Sequence, residues 1–234
     1  MGEKGVTKEQ DADRARDYAD KLQSENLANG GEFTDWFEEL YAKADGDSAK
    51  VPWGDQEPRQ GLVDWMSKRP QGAGAKALDV GCGLGDNAAF LEASGYDVTA
   101  IDLSASAIEW AAKRFADSAI KFRQADLFDL PDDLIGQFEL VHETYTLQAL
   151  PDAIRPKLFQ AITDLVAPDG RLLVITRSRD ADIVPDGPPW PLAKSELDAF
   201  LGLGMSEISV TKTVEVKPDG REIPHLRIEY QKTC

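Results

Sequence analysis

Long apolar runs are missing from this 234-residue sequence. None approaches the roughly 20 residues that a helix needs to span a bilayer. The first residues are polar and mixed in charge, unlike the apolar stretch of a signal sequence. We therefore expect no membrane association and a cytoplasmic location.

Cysteine is equally scarce. Cys82 lies in a glycine-rich segment and Cys234 is the last residue, so a disulfide between them is not expected. Two thiols are too few for a structural zinc site. Because no cluster of His, Cys, Asp and Glu has the spacing of metal ligands, we also expect no metal.

Positive charge is in short supply. The sequence has 26 Lys and Arg against 42 Asp and Glu, a formal net charge of −16 at pH 7. RNA or DNA would be repelled unless a local basic face existed, and no run of Lys and Arg indicates one. We expect a small-molecule partner and no nucleic acid. No apolar surface is left unexplained, so we expect a monomer.

The pattern of apolar residues changes near residue 70. Residues 1–70 hold short helical segments with too little apolar surface to fold alone, and we interpret them as an N-terminal helical cap. Residues 71–234 alternate strand and helix, which predicts a doubly wound, mostly parallel sheet. Seven strands are predicted, at 75–81, 97–103, 120–127, 138–145, 170–178, 207–217 and 225–231. The turn Pro218-Asp219-Gly220 predicts that the last two are antiparallel.

A glycine-rich segment follows the first predicted strand, beginning at Asp79 and containing Gly81, Gly83 and Gly85. Glycine allows the backbone to pass close to a ligand and to adopt angles that other residues avoid. The spacing is G-x-G-x-G rather than the G-x-G-x-x-G that seats a dinucleotide pyrophosphate. This spacing favours S-adenosylmethionine, which has no pyrophosphate, although such a loop also occurs as an ordinary tight turn.

Two acids end the next two predicted strands. Asp102 is placed to accept both ribose hydroxyls, and Asp126 to accept from the adenine amino group, with Leu103 and Leu127 flanking the ring. Acids at strand ends are also common as solvated caps. The glycine loop and both acids lie at three consecutive strand ends, where α/β sheets bind ligands, and together they favour the cofactor site.

Residues 75–178 resemble the class I S-adenosylmethionine-dependent methyltransferases. A narrower likeness, to the thiopurine, thiol and halide methyltransferase group, extends over residues 36–202. It is carried by Trp36, Tyr41, Pro52-Trp53, the stretch Phe138 to Glu143, and Gly187-Pro188-Pro189-Trp190. The resemblance implies a Rossmann-like seven-stranded sheet, methyl transfer from S-adenosylmethionine and release of S-adenosylhomocysteine.

In that group an N-terminal segment with spaced aromatics folds over the cofactor, and a Gly-Pro-Pro-aromatic loop helps to wall the substrate pocket. The resemblance thus assigns Trp36 and Trp53 to the cofactor, and Tyr41 and Trp190 to the substrate. Aromatic faces can stabilise the positive sulfonium by cation–π attraction. The alternative for each is ordinary packing in a core or over a helix.

Three residues at the end of the fourth predicted strand are candidates for catalysis. Glu143 resembles the acid that lies near the methionine part of the cofactor in this superfamily. His142 and Tyr145 are possible bases or orienting groups, although His142 follows an alternating apolar strand and fits a buried structural histidine as well. His225, in the last strand, is expected to be structural. Thr144 stands where the thiopurine branch carries an Arg.

The function predicted from these features is methyl transfer to a small molecule, with a thiol, sulfide or similar soft nucleophile as acceptor. A thiol with a pKa near 8.5 needs little help from a base. An O- or N-methyltransferase of a natural product or small metabolite is the first alternative. An NAD-dependent oxidoreductase shares the sheet, and an inactive cofactor-binding protein would share the site; both are more distant alternatives.

Overall fold

The structure is a computed structural model and describes residues 8–29, 32, 34–185, 187–217 and 219–233. Its strands are β1 (Lys76–Val80), β2 (Asp97–Asp102), β3 (Lys121–Gln124), β4 (Phe138–Thr144), β5 (Val166–Arg177), β6 (Met205–Val216) and β7 (Glu222–Lys232). They form one sheet in the order β3-β2-β1-β4-β5-β7-β6. Strands β1 to β5 are parallel, whereas β7 is antiparallel to both β5 and β6. The predicted doubly wound sheet with an antiparallel last pair is confirmed.

The helices are α1 (Lys8–Ala28), α2 (Asp35–Ala44), α3 (Gln60–Met66), α4 (Asp86–Ala93), α5 (Ala105–Arg114), α6 (Arg155–Leu165) and α7 (Lys194–Leu197). Short 3-10 helices are formed by Ser48–Lys50, Asp132–Leu134, Leu147–Ala149 and Asp198–Leu203. Helix α5 is capped by Ser104, whose hydroxyl accepts from the amide of Ala107 at 3.0 Å. No helix in the described part of the chain is both long and apolar enough to cross a membrane.

The core lies on both faces of the central strands. Leu78 and Val80 of β1 pack in one cluster with residues of β4, β5 and α6. Ala77, on the opposite face of β1, packs in a second cluster with residues of α3 and α4. Burial on both faces explains why β1 is an almost continuous apolar run, which is typical of a central parallel strand.

The bounds of β3 and β5 differ from the predictions. Strand β3 ends at Gln124, so Asp126 lies beyond the strand rather than at its end. Strand β5 begins at Val166, before the predicted start at residue 170, and its register against β4 shifts between Phe138 and Leu140. Asp169 adopts a positive φ of 61° within the inserted residues, which locally disrupts the pairing. Pro218, predicted in the last turn, lies outside the described residues, as does Cys234.

Helix α2 of the N-terminal segment packs against α5, beside the glycine loop. Glu38 of α2 accepts from the hydroxyl of Ser104 at 2.6 Å, and from the amide and the hydroxyl of Ser106 at 3.2 and 2.5 Å. Burial alone would raise the pKa of Glu38, but these hydrogen bonds outweigh it and its pKa lies below the ordinary value. Tyr41 packs with Leu84 and Ala107. The description of residues 1–70 as a cap stays a prediction.

Candidate active site

The glycine loop after β1 turns sharply and is closely packed. Gly81 and Gly83 have positive φ angles of 63° and 50°. A Cβ at Gly81 would overlap the Thr146 hydroxyl, and one at Gly83 would lie 2.8 Å from the Tyr41 hydroxyl. Only glycine satisfies both the backbone angles and the space, so the loop brings bare backbone to the carboxyl edge of the sheet.

Asp102, at the end of β2, is tied to this loop. Its Oδ2 accepts from the amide of Gly83 at 2.9 Å, and its Oδ1 from the amide of Ser104 at 2.9 Å. Burial raises the pKa of Asp102, and the two backbone hydrogen bonds partly offset this rise. Each oxygen keeps a lone pair, so the carboxylate can also accept from two neighbouring hydroxyls of a ligand.

The residues assigned to the adenine ring lie beside Asp102. The amide of Ala125 donates to the Asp102 carbonyl at 3.0 Å, which places Asp126 next to the end of β2. Asp126 is partly exposed, and its Oδ1 accepts from the amide of Phe128 at 2.8 Å. Leu103 and Leu127 are also partly exposed. This arrangement keeps open both the ligand-binding and the turn-capping interpretation of Asp126.

The aromatic residues of the N-terminal segment meet above the glycine loop. Trp53 donates from Nε1 to the Tyr41 hydroxyl at 2.6 Å, and the two rings pack edge to face with centroids 6.2 Å apart. Trp36 is buried between α1 and α2, with its centroid 4.1 Å from that of Phe37 and 6.1 Å from that of Trp53. Its Nε1 has no hydrogen-bond partner in the described residues. Tyr41 and Trp53 therefore cover the loop, and Trp36 supports Trp53 from behind.

Two buried carboxyl groups lie at the ends of β1 and β4. Asp79 pairs in register with His142, and Val80 with Glu143. Glu143 is fully buried and its Oε1 accepts from the amide of Leu147 at 3.0 Å. Burial raises the pKa of Glu143 to about 8, although hydrogen bonds from the backbone lower it. Asp79 Oδ2 and Glu143 Oε2 are both buried, without a donor in the described residues.

His142 is a fully buried side chain whose two ring nitrogens are both engaged. Asp79 Oδ1 accepts from Nδ1 at 2.7 Å, and Thr144 Oγ1 lies 2.7 Å from Nε2. A base must reach the proton that it removes, and within the described residues the ring nitrogens contact Asp79 and Thr144. This geometry favours the alternative of a buried histidine that orients Asp79, and a role of His142 as a base stays a prediction.

Tyr145, directly after β4, contacts His225 of β7. The Tyr145 hydroxyl lies 2.8 Å from His225 Nε2, and His225 Nδ1 lies 2.9 Å from the carbonyl of Ile223. Because a carbonyl only accepts, Nδ1 carries the proton and Nε2 accepts from the phenol. Burial lowers the pKa of His225 and raises that of Tyr145, so both are neutral near pH 7. Tyr145 also has a positive φ of 68°, a strained conformation that is typical of functional sites.

Two arginines face this pair, and we call them the guanidinium pair. The guanidinium carbon of Arg59 lies 4.9 Å from the centroid of the Tyr145 ring. Arg177 ends β5 directly opposite His225 on β7, and burial lowers its pKa. Residues directly opposite in an antiparallel pair point to the same face, so Arg177 and His225 lie side by side.

The loop that carries Trp190 is fixed to the segment after β4. The amide of Trp190 donates to the Gln148 carbonyl at 2.7 Å, and the Gln148 side chain accepts from the amide of Arg177 at 2.7 Å. The buried guanidinium of Arg155 donates to the carbonyls of Leu147 and Trp190, at 3.3 and 3.2 Å. Arg155 thus joins the two loops that border Tyr145.

The described residues fit S-adenosylmethionine. The glycine loop allows close approach, and Asp102 offers lone pairs where ribose hydroxyls are expected. The unpaired oxygens of Asp79 and Glu143 suit a cationic amino acid portion. No group of three or more His, Cys, Asp and Glu suited to a metal ion lies within the described residues, and the expected absence of a metal stays a prediction. Together the fold and this site define a class I S-adenosylmethionine-dependent methyltransferase.

Comparison with known proteins leads to the same class and narrows it. The family model described as thiopurine S-methyltransferase matches residues 44–231. The chain therefore belongs to the thiopurine S-methyltransferase family. A ubiquinone biosynthesis O-methyltransferase of Xylella fastidiosa (strain 9a5c) is 34% identical over 134 residues, which are 55% of this chain and 54% of that protein. The chain thus spans about half the length of the curated relatives it matches.

Solved structures share the fold. One, from work on the conversion of a disulfide bond into a thioacetal group during echinomycin biosynthesis, has a TM-score of 0.70 at 19% identity, and covers 86% of this chain and 93% of its own. A second is the 1,6-didemethyltoxoflavin-N1-methyltransferase of Burkholderia thailandensis with bound S-adenosylhomocysteine. It has a TM-score of 0.64 at 19% identity, and covers 94% of this chain and 91% of its own. At these identities they show the fold alone.

Sequence reasoning did not single out Arg59 or Arg177, and it assigned His225 a structural role. Arg177 lies near the end of the predicted strand 170–178, and the carboxyl ends of parallel strands meet where ligands bind. This position could have identified Arg177 as a candidate site residue. Nothing local marks Arg59 or His225, because the docking of α3 and the β5–β7 pairing bring them to Tyr145.

Proposed function

We propose that this protein transfers the methyl group of S-adenosylmethionine to the sulfur of a small thiol or a similarly soft nucleophile. One observation carries the proposal: the guanidinium pair lies beside Tyr145 and a neutral His225, at the end of β4 where we place the acceptor. Such surroundings favour a nucleophile that arrives as an anion over one that a strong base must deprotonate. Membership of the thiopurine S-methyltransferase family supports the same chemistry.

In this proposal the residues of the chain bind, orient and exclude water. S-adenosylmethionine, when bound, supplies a methyl carbon activated by a positively charged sulfur. Asp102 holds the ribose, and Asp79 and Glu143 face the cationic portion of the amino acid. Tyr41 and Trp53 cover the loop and keep water out, so the barrier falls through alignment and desolvation rather than through acid–base chemistry.

A second candidate is methyl transfer to an oxygen or nitrogen. The Tyr145–His225 hydrogen bond favours it, because the imidazole can take a proton from the phenol while the phenol takes one from an acceptor. The curated relatives named ubiquinone biosynthesis O-methyltransferases support it as well, over about half of the chain. The low pKa of His225 weighs against it, because burial makes the imidazole a weak base.

The test measures S-adenosylhomocysteine released with sulfide, small thiols, an aromatic thiol, a phenol and an amine as acceptors. Each acceptor is compared in the wild type, in Tyr145→Phe and in Lys113→Gln, a control on the exposed face of α5. We expect turnover with thiols that Tyr145→Phe lowers by less than about tenfold, since no base is removed. Turnover confined to the phenol or amine, with a loss of about 10²-fold or more in Tyr145→Phe, would establish the second candidate instead.

A monomeric state, the absence of a nucleic-acid partner and a cytoplasmic location stay predictions. Analytical ultracentrifugation checks the first of these, with a dimer mass as the contrary result.

A further inference from the structure

Arg177, one of the guanidinium pair, is partly buried beside His225. Within the described residues, the guanidinium of Arg177 makes no hydrogen bond and no ion pair, and its Nε is a buried atom. Buried polar groups are nearly always satisfied, because an unmet one costs the desolvation of that group. A ligand that brings hydrogen-bond acceptors to Arg177 would remove this cost.

Arg59 supplies a second cation at the same place. It lies over the Tyr145 ring, and its Nη1 donates to Asp55 Oδ2 at 2.8 Å. Asp55 is 58% exposed at its side chain, so solvent screens this ion pair. The backbone amide of Arg59 donates to Asn87 Oδ1 at 2.9 Å, which fixes the residue against the start of α4.

Glu215 is the acid that acts on Arg177, but it forms no ion pair with that guanidinium within the described residues. Glu215 Oε1 pairs with Lys217 at 2.5 Å, and Glu215 Oε2 lies 4.0 Å from His225 Nε2. Two arginines therefore share one site with a single nearby acid that is paired with Lys217, and this excess of positive charge suits an anionic ligand.

We infer that the guanidinium pair binds a carboxylate of the methyl acceptor, so that the substrates are small molecules with a carboxylate beside the nucleophile. The inference rests on the proposed function only in assuming methyl transfer at this site. A carboxylate matches the planar donors of arginine, which can bind it through two parallel hydrogen bonds. The nucleophile must reach the methyl donor, so in this proposal the positive charge of the guanidinium pair acts on it over a distance, and the carboxylate beside it is the group that the arginines contact.

The experiment compares para-sulfanylbenzoate with para-sulfanylbenzamide, which differ in the anionic group and present the same nucleophile. With the wild type we expect KM to be lower for the benzoate by roughly tenfold or more. Arg177→Gln should raise KM for the benzoate roughly ten- to hundredfold and change KM for the benzamide by less than about threefold. Arg59→Gln should act in the same direction, and Lys113→Gln should behave as the wild type.

Equal KM values for the two acceptors in the wild type would overturn the inference without any variant. So would equal losses on both acceptors in Arg177→Gln and Arg59→Gln, since those would reflect a structural role. If no thiol is methylated, calorimetry with the S-adenosylhomocysteine complex separates the two proposals. Tighter binding of para-hydroxybenzoate than of para-hydroxybenzamide, lost in Arg177→Gln, would support the anion site although sulfur transfer had failed. Equal binding would overturn it.

Discussion

The buried carboxyl group of Glu143 should make the stability of the protein depend on pH. In the folded chain its pKa is raised by burial to about 8 from an ordinary value of 4.5. Below the lower value both the folded and the unfolded states bind the proton, and the contribution of Glu143 to stability is fully present. Between the two values only the folded state keeps it, so stability falls as pH rises toward 8.

The size of this effect follows from the pKa difference. Each pH unit inside that window changes the free energy of unfolding by about 1.4 kcal/mol. Between pH 5 and pH 7 the loss therefore amounts to roughly 3 kcal/mol, a large part of the stability of a typical domain. In Glu143→Gln the amide oxygen still accepts from Leu147, while the NH₂ group replaces the protonated oxygen and cannot ionise. This variant should lack the pH-dependent loss.

Urea unfolding of the wild type and Glu143→Gln between about pH 5 and pH 8 measures the difference directly. We expect the variant to become the more stable of the two as pH rises. Glu139→Gln, an exposed substitution on the same strand, is the matched control and should follow the wild type. If the free energies of unfolding of Glu143→Gln and the wild type changed in parallel with pH, the reasoning would be refuted, because Glu143 would then have the same pKa in the folded and the unfolded chain.

Two further predictions concern the cofactor side. Asp102→Asn keeps an acceptor for the Gly83 amide but removes the negative charge and turns a donor toward the Ser104 amide, so we expect a roughly tenfold or greater loss of affinity for S-adenosylhomocysteine and a lower melting temperature. Calorimetry measures the affinity, and an unchanged dissociation constant would remove Asp102 from the site. Trp53→Phe removes the donor to the Tyr41 hydroxyl and should destabilise the fold by about 1 kcal/mol, which thermal unfolding measures. No shift in melting temperature would show that this hydrogen bond adds nothing.

The sheet was predictable because its signals are local. Apolar strands alternate with helical segments, and the glycine loop and Asp102 follow two of those strands directly. Their meeting at one edge then follows from parallel strand geometry. The glycine loop and Asp102 could therefore be placed at one edge of the sheet without knowing which distant residues contact them.

The acceptor side was less predictable because its contacts join distant parts of the chain. His225 reaches Tyr145 only through the register of β7 against β5, which places it opposite Arg177. The sequence of a strand does not show which residue of the neighbouring strand each of its polar side chains will contact. The contact of His142 with Asp79 was unpredictable for a related reason, because it depends on the register of β1 against β4.

The position of β7 between β5 and β6 has a consequence for the order of assembly. Strand β6 precedes β7 in the chain, yet it joins the sheet only through β7. The β6–β7 contacts are local in the sequence, whereas the β5–β7 contacts join distant segments, and local contacts generally form faster. The edge built from β1, β2 and β4 contains neither of these strands. The contact between Arg177 and His225 therefore depends on the long-range pairing of β7 with β5, whereas the glycine loop and Asp102 do not.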